Sequence, residues 1–334
     1  MTTPAPAVIE HHGDRRPSGN IASAVRWVLP RLALRAVLLI AVLFAAFAAV
    51  DRLPGNAALA ILGRDATAAD VAREERNLGL DRPVWVRFGE WLAHALSGDP
   101  GQSSRGVPIS ELLAARMPVT VVTSGIAFVL VIVLSLLCGA WLHASRGSAR
   151  GAAADAVAMG LLALPEFVVG TLLVGVFALG INVLPAVTVV DVSGRPATWD
   201  MYVLPVLALT VPQLAWNVRV VAAAFADAEA MPHVRAARLA GFPEKEVLRR
   251  HVLPPALPVI AASIATTAGL LFAGTVVVET LFNHPGVGEL AALSIAGRDL
   301  PTLVTVTAMT GAVVLVLLTA ADVVRTVFSP GGRP

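Results

Sequence analysis

The side chains able to do chemistry in this 334-residue chain are few, and the most suggestive sit where charge is costly. Glu166 lies near the middle of the apolar run 153–180, directly after Pro165. A carboxylate among hydrocarbon is strongly disfavoured unless it faces protein or water. The proline frees a backbone carbonyl, so Leu164-Pro165-Glu166-Phe167 is expected to form a kink that lines a cavity. There Glu166 has the chemistry to meet a cationic solute or the amino terminus of a peptide. The plainer alternative is an internal hydrogen bond that holds the kink. On the next apolar run Thr210, Gln213 and Asn217, with Arg219 close by, fall roughly along one side at steps of three and four, and Pro212 interrupts the backbone. Such a side faces a neighbouring helix or a water-filled path rather than lipid, and polar residues serve both purposes.

No catalytic constellation accompanies these residues. There is no glycine-rich phosphate loop ending in Lys-Ser or Lys-Thr, and the single lysine, Lys245, lies elsewhere. The seven histidines are scattered without metal-ligand spacing. Glu10-His11-His12 falls in a polar stretch where no metal site is expected. Cys138 is the only cysteine and lies in an apolar run, which leaves no disulfide framework and no thiolate metal site. The formal charge is only +2, and no basic patch interleaved with aromatic residues occurs, so nucleic acid is not an expected partner. No cofactor is expected in this chain. If ATP drives the protein, the nucleotide must bind another polypeptide.

With 56% hydrophobic and 14% charged residues, the chain is too oily for a water-soluble domain. Residues 1–31 read as a tail followed by an uncleaved first span at 32–52, not as a signal peptide. Leu53-Pro54-Gly55-Asn56 then opens a hydrophilic insert, 53–117. Within it Thr67 and Asp70 form a capping-box-like start, Gly79 ends that helix, and Asp81 and Pro83 begin another. Val84, Phe88, Trp91, Leu92 and Ala95 line one face of the second helix, either against the protein's own surface or as a platform for a partner. The core, 118–328, contains apolar blocks at 118–143, 153–180, 203–226, 255–278 and 302–328, followed by a tail at 329–334. Each block is long enough to cross about 30 Å of hydrocarbon. The expected fold is an all-α polytopic membrane protein of six spans. With both termini inside, the inner segments carry most of the Arg and Lys, while the short outer loops hold only Arg195 and Arg298. The positive-inside rule therefore puts residues 227–254 in the cytoplasm and the chain, multi-pass, in the plasma membrane.

That stretch is the longest polar interval of the second half, with five basic and four acidic residues. Residues 233–239 are helix formers, Gly241 can adopt the left-handed conformation that ends a helix, and Pro243 opens a new one. Pro254 stands before the next apolar segment. A compact helix-turn-helix between two spans makes a poor hinge and a good plug for a groove on a soluble partner.

Arg235-Ala236-Ala237, three residues, Gly241, nine residues and His251-Val252-Leu253-Pro254 resemble the EAA loop of ABC importer permeases. That pattern reads Glu-Ala-Ala, three residues, Gly, nine residues, Ile-x-Leu-Pro. The runs H-V-R-A-A-R-L-A-G and V-L-R-R-H-V-L resemble its peptide and nickel branch, with His233 for Tyr, Ala240 for Lys, and Pro254-Pro255 for Arg-Asn. The segments L-G-L-D-R-P-V-W, S-G-D-P-G-Q-S, L-P-E-F-V-V-G and A-G-T-V-V-V-E-T-L-F-N-H-P-G-V-G-E-L are similar to that branch as well. The last reads as a Gly- and Pro-shaped re-entrant or outer turn.

The resemblance implies a transmembrane permease with a helical extracytoplasmic insert and a cytoplasmic coupling helix. It implies as partners a homologous second permease, two ABC ATPases or one two-domain ATPase, an extracytoplasmic solute-binding protein and the lipid. ATP and Mg are implied in the ATPases alone. Arg235, Ala236, Ala237, Arg238, Gly241, His251 and Pro254 are then the ATPase-coupling positions, and Glu166, Gln213 and Asn217 belong to the translocation path. Peptides are the implied solute, with nickel or another small solute as the alternative. A secondary transporter with Glu166 as titrating group is a different class, and so is a structural subunit with no path. The first lacks a visible inverted repeat and leaves the loop's shape unexplained.

Overall fold

Among the described residues five helices are long and apolar enough to cross a membrane, six if the bent pair Ala149–Leu162 and Glu166–Gly180 counts as one span. A computed structural model of the chain describes residues 21–51, 62, 66–77, 79 and 81–328. The first part of the expected N-terminal tail, Leu53-Pro54-Gly55-Asn56 and the tail at 329–334 lie outside the described residues. The elements are α1 (Ile21–Asp51), α2 (Ala68–Asn77), α3 (Val84–Leu96), α4 (Ile109–Ala144), α5 (Ala149–Leu162), α6 (Glu166–Leu173), α7 (Val203–Glu229), α8 (Pro232–Leu239), α9 (Glu244–Val247), α10 (Leu253–Leu281), α11 (Val287–Ala296) and α12 (Leu300–Phe328). Helix α6 runs on as a π-helical turn over Val174–Gly180.

Two starts differ from the hydropathy reading. Helix α1 begins at Ile21 rather than 32, and α4 at Ile109 rather than 118. In both cases a proline, Pro30 or Pro118, sits inside the helix instead of opening it. Helix α4 starts after Pro108, whose fixed φ suits a helix entrance.

Long-range hydrogen bonds fix which helix ends lie together. At one end Arg35 bonds Thr319 (3.2 Å) and Asp322 (2.6 Å), Arg146 bonds the Ala222 carbonyl (2.9 Å), and His143 Nε2 meets Glu229 (3.2 Å). At the other end Ser104 binds Asp299 (2.9 Å), Thr120 binds Glu279 (2.6 Å) and Trp91 binds Thr305 (3.1 Å). Helices α4, α7 and α10 form the centre, with α12 and α1 added on one flank and α5–α6 on the other.

The insert packs on this frame. Thr67 accepts from the Asp70 N–H (3.2 Å) and opens α2. On α3, Phe88 stands edge-on to Phe44 and Phe47, and Val84, Trp91 and Leu92 join them against Leu300 and Val304. The apolar stripe of the insert therefore covers α1 and α12 of the same chain.

Candidate functional site

Residues 227–254 build a knob from local signals. Pro232 occupies the first turn of α8, and Pro243 precedes α9. Between them Gly241 takes φ +81°. Its N–H bonds the Arg238 carbonyl (3.1 Å), while Phe242 N–H reaches back to Ala237 (3.3 Å). These paired bonds satisfy the last free carbonyls of α8.

Val234 and Ala237, one turn apart, face inward with Val247 and Val252 against Val221, Phe225 and Ile260. Arg235, Ala236, Leu239 and Phe242 face out, and Leu239 is 83% exposed. The two alanines thus part company. Ala236 lies on the outer face, whereas Ala237, at 6% exposure, is a core residue that lets α8 approach α7. The helical period forces this, because Val234 already points inward and 237 shares its side.

Arg238 is exposed, but its guanidinium is engaged by its own chain. It bonds Glu229 at the end of α7 (2.8 Å) and Glu244 at the start of α9 (2.6 Å). The Glu244 carboxylate first, then Glu229, raises its pKa further above the ordinary arginine range. Glu229 also meets His143, so the knob is tied to α4. His251 packs beside His233 and Phe242, and its carbonyl lies 3.2 Å from His233 Nε2.

The helical path does not break at Pro254. Residues Leu248–Val252 form a wide π-helical turn that leads directly into α10. Pro254 and Pro255 supply no N–H, and the wider turn, with Leu253 N–H on the Leu248 carbonyl, accommodates the loss.

Glu166 lies in the bent helix pair. Helices α5 and α6 meet at 106°, a break rather than a kink. Helix α5 closes on tight bonds from Ala163 and Leu164 to Gly160 and Leu161, and α6 restarts after Pro165. Glu166 and Gln213 meet in a groove of about 580 Å³ walled by Phe167, Trp216 and Leu270. Asn217 is not at its surface. It is fully buried, donating to Thr267 and the Gln213 carbonyl (both 2.8 Å) and accepting from Ser263 (2.9 Å), so it fastens α7 to α10. Thr210 bonds its own helix at Val206, and Arg219 turns away to pair with Asp155 on α5 (3.1 Å).

A second polar cluster closes the opposite end of the molecule. Glu279 and His284 are both fully buried. The Glu279 carboxylate accepts from Thr120 (2.6 Å) and from the Gly288 N–H (2.6 Å), while Thr120 accepts from the Val287 N–H (2.8 Å). Together they satisfy free N–H groups at the start of α11. A side chain at Gly286 would collide with that carboxylate. His284 bridges Thr123 (Nε2, 3.0 Å) and Thr188 (Nδ1, 2.9 Å). Thr123 donates to Val119, so the imidazole carries its proton on Nε2 and accepts from Thr188 at Nδ1. Sequence reading marked this stretch as a turn but missed the cluster, whose partners on α4 and at Thr188 lie 96 to 167 positions away.

Burial lowers the His284 pKa from 6.5 to about 4. A histidine depressed on folding contributes stability that is complete above pH 6.5 and fades as pH falls toward 4. The unfolding free energy of the purified protein is expected to fall by roughly 3 kcal/mol between pH 7 and 4 through this group, on the ~1.4 kcal/mol per unit scale, with a lower melting temperature as readout. His284→Asn should flatten that part of the profile. An unchanged acid slope would show that His284 is not its source.

Residues 131–333 match the binding-protein-dependent transport system inner membrane component family, and residues 24–124 match the N-terminal membrane component of such systems. A protein of Sinorhizobium fredii named as a probable peptide ABC transporter permease is 30% identical over 282 residues, covering 83% of this chain and 89% of its own. The glutathione transport system permease protein of Salmonella choleraesuis is 30% identical over 283 residues, covering 84% and 89%. The chain belongs to the binding-protein-dependent transport system inner membrane components, the permease subunits of ABC importers.

Proposed function

We propose that this permease forms half of the path of an ATP-driven peptide importer and receives its driving force through residues 227–254. The supporting observation is the build of the knob. Its inner face is welded to α7 and α10 by Val234, Ala237 and Val247, and Arg238 ties the end of α7 to the start of α9. Its outer face offers Arg235, Ala236, Leu239 and Phe242 to a partner. A rigid projection of this kind moves its attached helices when it is pushed.

In this reading the knob is cytoplasmic, both termini are cytoplasmic, and the insert faces an extracytoplasmic solute-binding protein. A homologous second permease supplies the other half of the path. Two ATPases, or one two-domain ATPase, grip the knobs from below and hold the ATP and Mg. Their closure displaces α8, and the spans carry that motion to the groove, giving alternating access. The permease itself hydrolyses nothing. Peptide is favoured as solute by the two relatives described above, one named for peptides and one for glutathione, itself a peptide.

The test is uptake into vesicles holding the whole complex at zero ion gradient, with ATP on the knob side and a labelled peptide pool outside. ATP-dependent accumulation is expected. Accumulation driven by a proton or sodium gradient without ATP would replace this reading with a secondary transporter that titrates Glu166.

A further inference from the structure

We propose that Glu166 is the counter-ion for an ammonium group on the solute as it passes through the groove, a refinement that rests on the permease reading above. Three observations converge on it.

The first is charge. Three carboxylates buried or half-buried along the membrane helices are compensated: Asp322 by Arg35, Asp155 by Arg219, and Glu279 by Thr120 and the N-terminus of α11. Among the described residues Glu166 forms no ion pair. Its neighbour is the neutral amide of Gln213. Its place in the first turn of α6 puts the negative charge at the favourable end of a helix, which supports a carboxylate there without neutralising it.

The second is placement. Two elements hold the carboxylate, and neither needs it. Gln213 reaches it from α7. From α10, Gly274 leaves it room, since a Cβ there would lie 2.6 Å from Oε2. The break beside it is maintained by backbone bonds, with Val168 and Val169 both on the Pro165 carbonyl (2.9 and 3.2 Å). The bend therefore does not depend on the Glu166 side chain, which lines the groove.

The third is the shape of the space. The groove at Glu166 and a second cleft of about 520 Å³ share Trp216 and Leu270, and Ser263, Thr266 and Thr267 line the second. A solute fixed by its ammonium at Glu166 has aromatic faces beside it at Phe167 and Trp216, and hydroxyl groups further along for its peptide bonds. The chemistry selects an organic ammonium over a metal ion. Among the described residues no group of three His, Cys, Asp or Glu is available to ligate one, and a single carboxylate does not make a cation cage.

The test uses the purified permease complex without its binding protein, with tryptophan fluorescence as readout. The probes are trialanine amide, which carries one free ammonium, and its N-acetyl form. Wild type is expected to give a saturable change with the free amine and none with the acetylated peptide. Trp216→Phe should remove the signal. Glu166→Gln should weaken binding at least tenfold, and Glu166→Asp should restore part of it. No saturable change in wild type, equal binding of both probes, or full affinity in Glu166→Gln would overturn the proposal. If Glu166→Gln fails to assemble, the two probes on wild type still decide. Amine binding that persists where ATP-driven uptake is absent would sink the importer reading and leave this one standing.

Discussion

Gly241→Val is expected to reduce uptake to less than about a tenth of wild type while leaving membrane insertion and melting temperature almost unchanged. The reason is confined to the backbone. At φ +81° an L-residue with a Cβ loses on the order of 1–2 kcal/mol, and a β-branched one more. Apart from the adjoining residues no atom lies within 4 Å of where that Cβ would sit, so the penalty owes nothing to tertiary crowding. It is relieved when the chain leaves the left-handed region. That step breaks the paired bonds from Gly241 and Phe242 to Arg238 and Ala237 and re-aims Phe242 and α9. The spans do not depend on this turn, but the outer face of the knob does. Gly241→Asn provides the decisive comparison, because asparagine tolerates φ above zero and should retain most activity. Co-purification with the ATPase should follow the same order of Gly, Asn and Val. Normal transport by the valine variant would remove the coupling role from this loop.

The knob was legible because its signals are local. Pro232 and Pro243 fix their own φ, and Gly241 between them permits the positive φ that the turn requires. The long apolar helices were legible for a similar reason, since length and hydropathy are sums over neighbours. Features that depend on what packs against a residue were not. Pro165 announces a disturbance, yet whether the chain bends slightly or by 106° depends on how α5 and α6 both seat on α7. Arg219 was grouped with Thr210 and Gln213, although its spacing of two from Asn217 carries it round the helix toward Asp155. The inward turn of Ala237 was present in the sequence, as Val234 and Ala237 share a stripe, but the resemblance to a docking motif drew attention to the other face. His143, Glu229 and Arg238 belong to three helices, and only the fold brings them together.

Glu279→Leu is expected to destabilise the protein by about 4 kcal/mol, a fall of roughly 10 °C in melting temperature for a chain of this class. Leucine is somewhat larger than the flat carboxylate it replaces, so packing strain is a secondary addition. The loss comes from polar groups stranded at zero exposure. The Gly288 N–H has no other acceptor in the turn, and Thr120 loses the partner that orients it toward Val287. Each buried donor left unpaired costs about 1–3 kcal/mol. Glu279→Gln should fall between, because one amide oxygen replaces only one of two accepting oxygens and the NH2 group opposes a backbone N–H. Thr280→Ala, one residue on, should be nearly silent. Thr280 is exposed, and its hydroxyl returns to its own helix at Val276. Uptake per folded molecule should also drop in Glu279→Leu, for a reason separate from stability. Helix α4 spans about 54 Å at ~1.5 Å per residue. It is pinned by Thr120 and Thr123 to the buried cluster at one end and by His143 to Glu229 beside the knob at the other. Glu279→Leu removes the Thr120 pin while Thr123 on His284 and Arg116 on Glu289 remain, so the drop measures the share of the displacement that passes through the carboxylate. A Glu279→Leu protein that melts like wild type would mean the carboxylate is not the keystone of that end. One that melts early but transports normally per molecule would mean the spans respond to the knob without it.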